Sequence, residues 1–417
     1  MNEKLLHFIW QYQIFNSIAL TTTQFDRLTI LNPGKWNHNQ GPDFGMARIL
    51  INGEQWIGNI ELHVRSSDWH LHHHDQDPNY KNVILHVVWQ HDLDNNFIPV
   101  LELESRVPSL LLSKYQTWSL QNSFISCSGS TGSLDMQIVY PFLKWLNAKR
   151  QTQRSKEVMI LVESLSGDWE EAFWRQLARS FGHKVNADSF ERMAENLPYK
   201  ILLRHQHNLK QLEALIFGQA GLLHSGTGDV YADELYKEFI FLRRKYKLRR
   251  NVFPLYFLRM RPINFPTIRL AQLASLIHHH PDLLRTIKDL EDQQSIKKLL
   301  RISAGAYWNT HFRFGEETSF QLKNIGIGLI EKIMINTIIP FVRAYQSKRG
   351  KQQQLQYLDE WTSEMKSEYN SIVTGFSNIG MAPRNMEDSQ GLLELKKSYC
   401  DQLKCLDCAI GRYLLRK

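Results

Sequence analysis

Cysteine is scarce in this chain, with four in 417 residues. That is too few for a disulfide-stapled fold and fits a reducing interior, so the expected compartment is the cytoplasm. Long hydrophobic runs are missing too. A membrane-spanning helix needs roughly 18 uncharged apolar residues, and the nearest stretch, Ile325 to Val342, is interrupted by Glu331 and Lys332 and runs into Pro340. No membrane partner is expected. The run Leu5 to Trp10 is too short for a secretory segment, and no small-residue cleavage site follows it. Absent as well are a Walker A sequence, a Gly-x-Ser-x-Gly elbow, a Gly-x-Gly-x-x-Gly fingerprint and a His-Glu-x-x-His helix. Kinase, nucleotide-hydrolase, serine-hydrolase and metalloprotease readings lose their usual support.

What is present is enough to fold. With 43% apolar and 22% charged residues the chain can bury a core, and its length predicts two or three domains. Charge is unevenly spread. Residues 1–130 hold eight Lys or Arg against twelve Asp or Glu, so the net charge of +8 is carried by the remainder. A basic body beside an acidic smaller part suggests a polyanion partner for one and a metal-binding carboxylate site for the other.

Periodicity divides the chain at the same place. Leu5, Leu6, Ile9, Trp10 and Ile14 share one helical face, predicting a leading helix from Glu3 to Phe15. Residues 31–42, rich in Asn, Gly and Pro, read as a loop. Phe44 to Ile51 and Trp56 to Val64 read as strands joined at Asn52-Gly53, a strong hairpin signal. Val83 to Trp89 is almost wholly apolar, as befits a strand covered on both faces, and Phe97 to Leu103 reads as a further strand. The segment 126–133, Ser-Cys-Ser-Gly-Ser-Thr-Gly-Ser, is the expected linker. Beyond it the patterning is helical, with Asp168 as a helix N-cap and Gly182 as a stop. The expectation is an α+β or α/β architecture: a small N-terminal mixed-sheet domain with a leading helix (1–125), then a larger all-helical basic domain (134–417).

Strand alternation puts Glu61, His63 and Arg65 on one face and Ile60, Leu62 and Val64 on the other. Asp43, at the start of the neighbouring strand, comes alongside Glu61 across the hairpin. Two carboxylates at adjacent strand ends make a hard-oxygen site for Mg²⁺ or Mn²⁺. The string Gly41-Pro42-Asp43-Phe44 followed by Glu61-Leu62-His63 resembles the PD-(D/E)XK nuclease superfamily, whose core also has a leading helix and then hairpin strands carrying the acids. The resemblance implies a divalent-metal-dependent phosphodiester hydrolase, with Pro42 and Asp43 at the PD position and Glu61 at the next acid. His63 stands where the family has lysine, and Arg65 or Lys81 would supply the missing cation. Glu3 takes the place of the extra acid found in the leading helix of many such nucleases. The alternative is a non-catalytic nucleic-acid-binding or scaffold protein on a degenerate nuclease-like fold.

Three further features carry chemistry. Histidines cluster at His63, His70, His72, His73, His74, His86 and His91. His86 interrupts an apolar strand, where a buried imidazole needs a partner and can serve the acidic site. The run His72-His73-His74 is read as a loop that binds transition metals adventitiously. Cys400, Cys405 and Cys408 lie within nine residues of one another, and with Cys127 they would hold Zn²⁺ or an iron–sulfur cluster. This is similar to the iron–sulfur staple of some DNA-processing nucleases, although there the lone cysteine precedes the acidic motif. The basic run Arg243, Arg244, Lys245, Lys247, Arg249 and Arg250 is dense enough to contact several phosphates of a nucleic acid, with Tyr246 available for stacking. Finally, Asn59 to His63, Ser66 to Trp69, Asp77 to Tyr80, Val83 to Val88 and the closing Cys405-Leu406-Asp407-Cys408 together resemble a bacterial family catalogued as a domain of unknown function.

Overall fold

The leading helix opens at Asn2, whose side-chain oxygen accepts from the Leu5 N–H at 2.8 Å and so satisfies one of the donors that a helix start leaves without a partner. The computed structural model describes every residue except 38–40, 95–97, 121–122, 250–252, 291 and 351–354. Phe97 and Arg250 among the expected features therefore lie outside the described residues. α1 (Glu3–Gln11) buries Leu5, Leu6, Phe8, Ile9 and Trp10. It ends short of Phe15 because Gln13 turns left-handed, at φ 52°. The Ile14 N–H returns to the Ile9 carbonyl and the Gln13 N–H to that of Trp10, a Schellman closure with glutamine where glycine is usual.

A six-stranded sheet follows: β1 (Leu28–Asn32), β2 (Lys35–Trp36), β3 (Phe44–Ile51), β4 (Glu54–Arg65), β5 (Val83–Gln90) and β6 (Val100–Glu102). The order is β1-β3-β4-β5-β6, with β2 also paired to β3. β1, β2 and β4 run antiparallel to β3, whereas β4, β5 and β6 are mutually parallel, so the sheet is mixed. The turn between β3 and β4 has Asn52 at φ 50° and Gly53 at φ 93°, the paired left-handed conformations that tight hairpins need. β1 and β2 correct the loop reading of 31–42: they are short edge strands around Pro33-Gly34, and β1, though apolar at Leu28, Ile30 and Leu31, lacks the alternation that marks a half-buried strand. β5 is buried continuously from Val83 to Val88 because it lies between two parallel neighbours. α2 (Asp68–Leu71) lies in the connection from β4 to β5, and α3 (Ser109–Leu120) follows the sheet.

The chain forms two compact units, one of residues 1–143, 369–382 and 392–417, the other of 144–368 and 383–391. The expected linker 126–133 lies in the first as the 3₁₀ segment Ser128–Ser133. The second unit is helical: the later part of α4 (Met136–Ser164), then α5 (Trp169–Phe181), α6 (His183–Glu195), α7 (Tyr199–Arg204), α8 (Leu209–Gln219), α9 (Val230–Tyr246), α10 (Pro266–His279) and shorter helices. Asp168 caps α5 by accepting from the Glu171 N–H at 3.0 Å, and Gly182 ends it. Trp174, Phe181, Phe190, Phe217, Trp308 and Phe341 are fully buried in its core. A small hairpin, β7 (His311–Arg313) with β8 (Glu316–Glu317), departs from an all-helical body. Among the described residues, no helix is long and apolar enough to cross a membrane.

Candidate metal centre

β4 and β5 set the geometry. Glu61 is in register with His86, and residues in register project to the same side of a sheet. Glu61, His63 and His86 therefore share a face, while Ile60 and Leu62, both 0% exposed, fill the other. Gly58 lets the strands close just before the acid: a Cβ there would lie 2.5 Å from Ile84 Cγ2 and 2.6 Å from the Asn82 carbonyl oxygen.

Asp43 and Glu61 do come together. The Asp43 N–H donates to Glu61 Oε2 at 3.0 Å, and Asp43 Oδ2 accepts from the Leu62 N–H at 3.0 Å. From α1, His7 Nε2 lies 3.0 Å from Asp43 Oδ2, off the angle of a hydrogen bond. Glu3, one helical turn earlier, is exposed but still within electrostatic range of Glu61. Burial, then the Asp43 carboxylate and more weakly Glu3, push Glu61 up to about 9, against the bond from the Asp43 N–H. A carboxylate pair with one member buried is relieved either by a proton or by a cation.

Histidine supplies the rest. His63 Nδ1 is 2.8 Å from His86 Nε2, and His63 Nε2 is 3.2 Å from His72 Nδ1 and 3.7 Å from Glu61 Oε1. His74 Nε2 stands 3.4 Å from the same Glu61 oxygen. The His74 ring is stacked between His63, at 5.2 Å and 24°, and Tyr80, at 3.8 Å and 23°. Buried Trp69 packs against His63, His74 and His86. One nitrogen each of His63, His72 and His74 lies within 4.8 Å of the others. Burial first, then the neighbouring imidazoles, lower His63 to about 2, and burial lowers His86 to about 3. Both rings are thus neutral, the form in which imidazole offers a lone pair to a metal.

This donor set refines the expected metal. Asp43 and Glu61 alone suit Mg²⁺ or Mn²⁺, but three imidazole nitrogens beside a carboxylate oxygen suit Zn²⁺ or Fe²⁺ better. His86 bonds one member of the donor cluster, His63, on the nitrogen that faces away from Glu61, so its place is behind a ligand; its Nδ1 is buried without a hydrogen-bond partner.

Several expectations change. Burial among other imidazoles disfavours a charge on His63. Arg65 and Lys81 are exposed, and the group actually set against Asp43 is His7. His72 and His74 reach the site from either side of His73, which is left-handed at φ 57°; the His74 ring is half-buried there and His72 is exposed at its edge. The His-x-His spacing was the available signal; Tyr80 and His7 left none.

The cysteines and the basic run are also placed. Cys127, Cys400, Cys405 and Cys408 are all free and all in the first unit, and burial pushes Cys127 up to about 12 and Cys408 to about 11. Arg243, Arg244 and Lys245 lie in the last turn of α9, with Lys247 as its left-handed cap; Arg244, Lys245, Lys247 and Arg249 are exposed and Arg243 is half-buried. The Tyr246 hydroxyl sits 2.9 Å from His205 Nε2, and Arg204 and Lys245 lie over its ring.

The chain belongs to the family described as "Protein of unknown function (DUF2851)", which matches residues 3–371. No curated protein and no solved structure matches it.

Proposed function

We propose that this member of the DUF2851 family is a divalent-metal-dependent phosphodiester hydrolase acting on nucleic acid, with Asp43, Glu61, His63, His72 and His74 as its metal-binding groups. The observation that carries the reading is that one buried acid, Glu61, faces Asp43 with one oxygen and His63 and His74 with the other. When bound, a divalent ion in such a set supplies Lewis acidity and lowers the pKa of a bound water.

The protein's own groups do the remaining work. Main-chain donors from Asp43 and Leu62 hold the two carboxylates in fixed directions, which is the preorganisation that catalysis requires. His86 orients the His63 ring through Nδ1. Trp69 and Tyr80 wall the cluster with aromatic surface and keep water from its inner side. His7, half-buried beside Asp43, is the group that would hold a proton for the departing oxygen. The basic residues at the end of α9 support a polyanionic substrate, since several exposed cations on one short segment are suited to phosphate backbones.

The test is cleavage of single-stranded and duplex DNA and RNA by the full chain, stripped with chelator and resupplied separately with Zn²⁺, Mn²⁺ or Mg²⁺. Cleavage should return with metal and fall at least 100-fold in Asp43→Asn and Glu61→Gln, with unchanged circular dichroism. No cleavage with any of these ions would leave a non-catalytic scaffold and overturn the reading.

A further inference from the structure

We propose that Cys127, Cys400, Cys405 and Cys408 form a single thiolate-held metal centre, separate from the histidine cluster and independent of the hydrolase reading. Cys127 lies just before the 3₁₀ segment Ser128–Ser133. Cys400 ends the π-helical turn Lys396–Cys400, and Cys408 caps the final helix, Ala409–Arg416. The fold brings these positions together from far apart in the chain: the final helix, which Cys408 caps, packs against the Ser128–Ser133 segment, which Cys127 caps, and Cys400 lies within electrostatic range of the other three thiols. Cys127 and Cys408 are only 8% and 7% exposed, and none of the four is paired in a disulfide.

The local backbone is shaped for the trio. Leu403 is left-handed at φ 51°, the Lys404 N–H returns to the Tyr399 carbonyl at 2.9 Å, and the Cys408 N–H bonds the Cys405 carbonyl at 3.3 Å. The chain therefore reverses between successive cysteines. Gly411 permits the reversal to sit on the final helix, since a Cβ there would meet the Cys405 carbonyl oxygen at 2.2 Å. Cys408 makes no side-chain capping bond to the helix it precedes, so its sulfur is left open to another partner.

Spacing bears on the metal. A tetrahedral zinc with Zn–S bonds of about 2.3 Å would hold its sulfurs about 3.8 Å apart. Among the described residues, the ligand atoms found within 4.8 Å of one another in a group of three are the histidine nitrogens and not these sulfurs. The wider spread favours a four-iron, four-sulfide cluster, whose four thiolates each bind a separate iron.

Protein purified without oxygen should be assayed for iron, acid-labile sulfide, zinc and visible absorption. About four irons and four sulfides with a coloured spectrum identify a cluster, and one zinc without colour identifies a mononuclear site; either, if lost in Cys405→Ser and Cys127→Ser, supports the centre. Wild-type protein that takes up neither zinc nor iron with sulfide on reconstitution overturns it, as does metal content unchanged in both variants. Should the variants fail to fold, mercurial titration of the wild type decides, because metal must then leave in step with four thiols. Retention of this metal in Glu61→Gln separates its fate from that of the hydrolase reading.

Discussion

The N–H of Asp43 donates to Glu61 Oε2, and the Asp43 carboxylate accepts from the N–H of Leu62, both at 3.0 Å. This reciprocal lacing ties the start of β3 to the middle of β4 through the main chain. Side-chain rotation is thereby restricted at both acids, and Glu61 Oε1 is left facing His63 and His74. The acids are positioned by the sheet itself, which is the more rigid way to build a site.

His86 and Tyr80 should act through the rings they touch. His86→Ala removes the partner 2.8 Å from His63 Nδ1, and Tyr80→Ala removes the surface stacked on His74. Each should weaken Zn²⁺ binding by about 10–100-fold in competition with a chelating dye. Tyr80→Phe should bind as the wild type does, since the stacking ring remains. Equal affinity in His86→Ala would mean that the His63 orientation is set elsewhere.

Nucleic-acid binding should be strongly salt-dependent. Each phosphate contact adds about 0.9 to the slope of log affinity against log salt for duplex DNA. Replacing Arg243, Arg244, Arg249 and Arg250 by Ala should lower that slope by two or more and weaken binding to all sequences alike. A slope unchanged in this variant, measured by fluorescence anisotropy, would remove the segment from the interface.

Much of this site is readable from local pattern, and the unreadable part has a physical cause. Period-two alternation puts Glu61 and His63 on one face, and the Asn52-Gly53 turn brings Asp43 beside them. His86 announces itself by interrupting an apolar strand. His72, His74, Tyr80 and His7 come from elements whose approach depends on tertiary packing and on a left-handed His73, which nothing in its neighbours signals. The same holds for the fold. β3 and β5 follow from alternation and from a continuous apolar run, as α5 does from its capping aspartate. α1 stops early because glutamine takes a position that ordinarily calls for glycine, and β1 and β2 are too short, and lie too close to Pro33-Gly34, to be distinguished from loop.

Glu213 gives the helical unit a pH dependence. It is 0% exposed, and its oxygens accept from Tyr231 OH at 2.6 Å and Trp308 Nε1 at 3.1 Å. Burial raises it to about 7 despite both bonds. An acid raised above its unfolded value stabilises most when protonated, so its contribution is complete below about 4.5 and is lost as pH rises through about 7. Glu213→Gln should therefore gain stability on the wild type between pH 5 and pH 8.5, by on the order of 3 kcal/mol. Parallel denaturation curves at the two pH values for both proteins would contradict this.

Gly58→Ala should cost about 1–3 kcal/mol, because a methyl group would press on Ile84 and the Asn82 carbonyl with no room to yield. Chemical denaturation measures the loss. Metal affinity should fall with it, since the displaced strand carries Glu61 three residues on. An unperturbed midpoint would show that β4 and β5 can separate without cost.

The most direct measurement is the anomalous scattering of a zinc-soaked crystal, collected on both sides of the zinc absorption edge. A single strong peak should lie about 2.0–2.2 Å from Glu61 Oε1 and from nitrogens of His63 and His74, with His72 as a further ligand, and should vanish in Glu61→Gln. A crystal with zinc only at surface histidines, and none between Glu61 and His63, would contradict the metal centre and the hydrolase reading built on it.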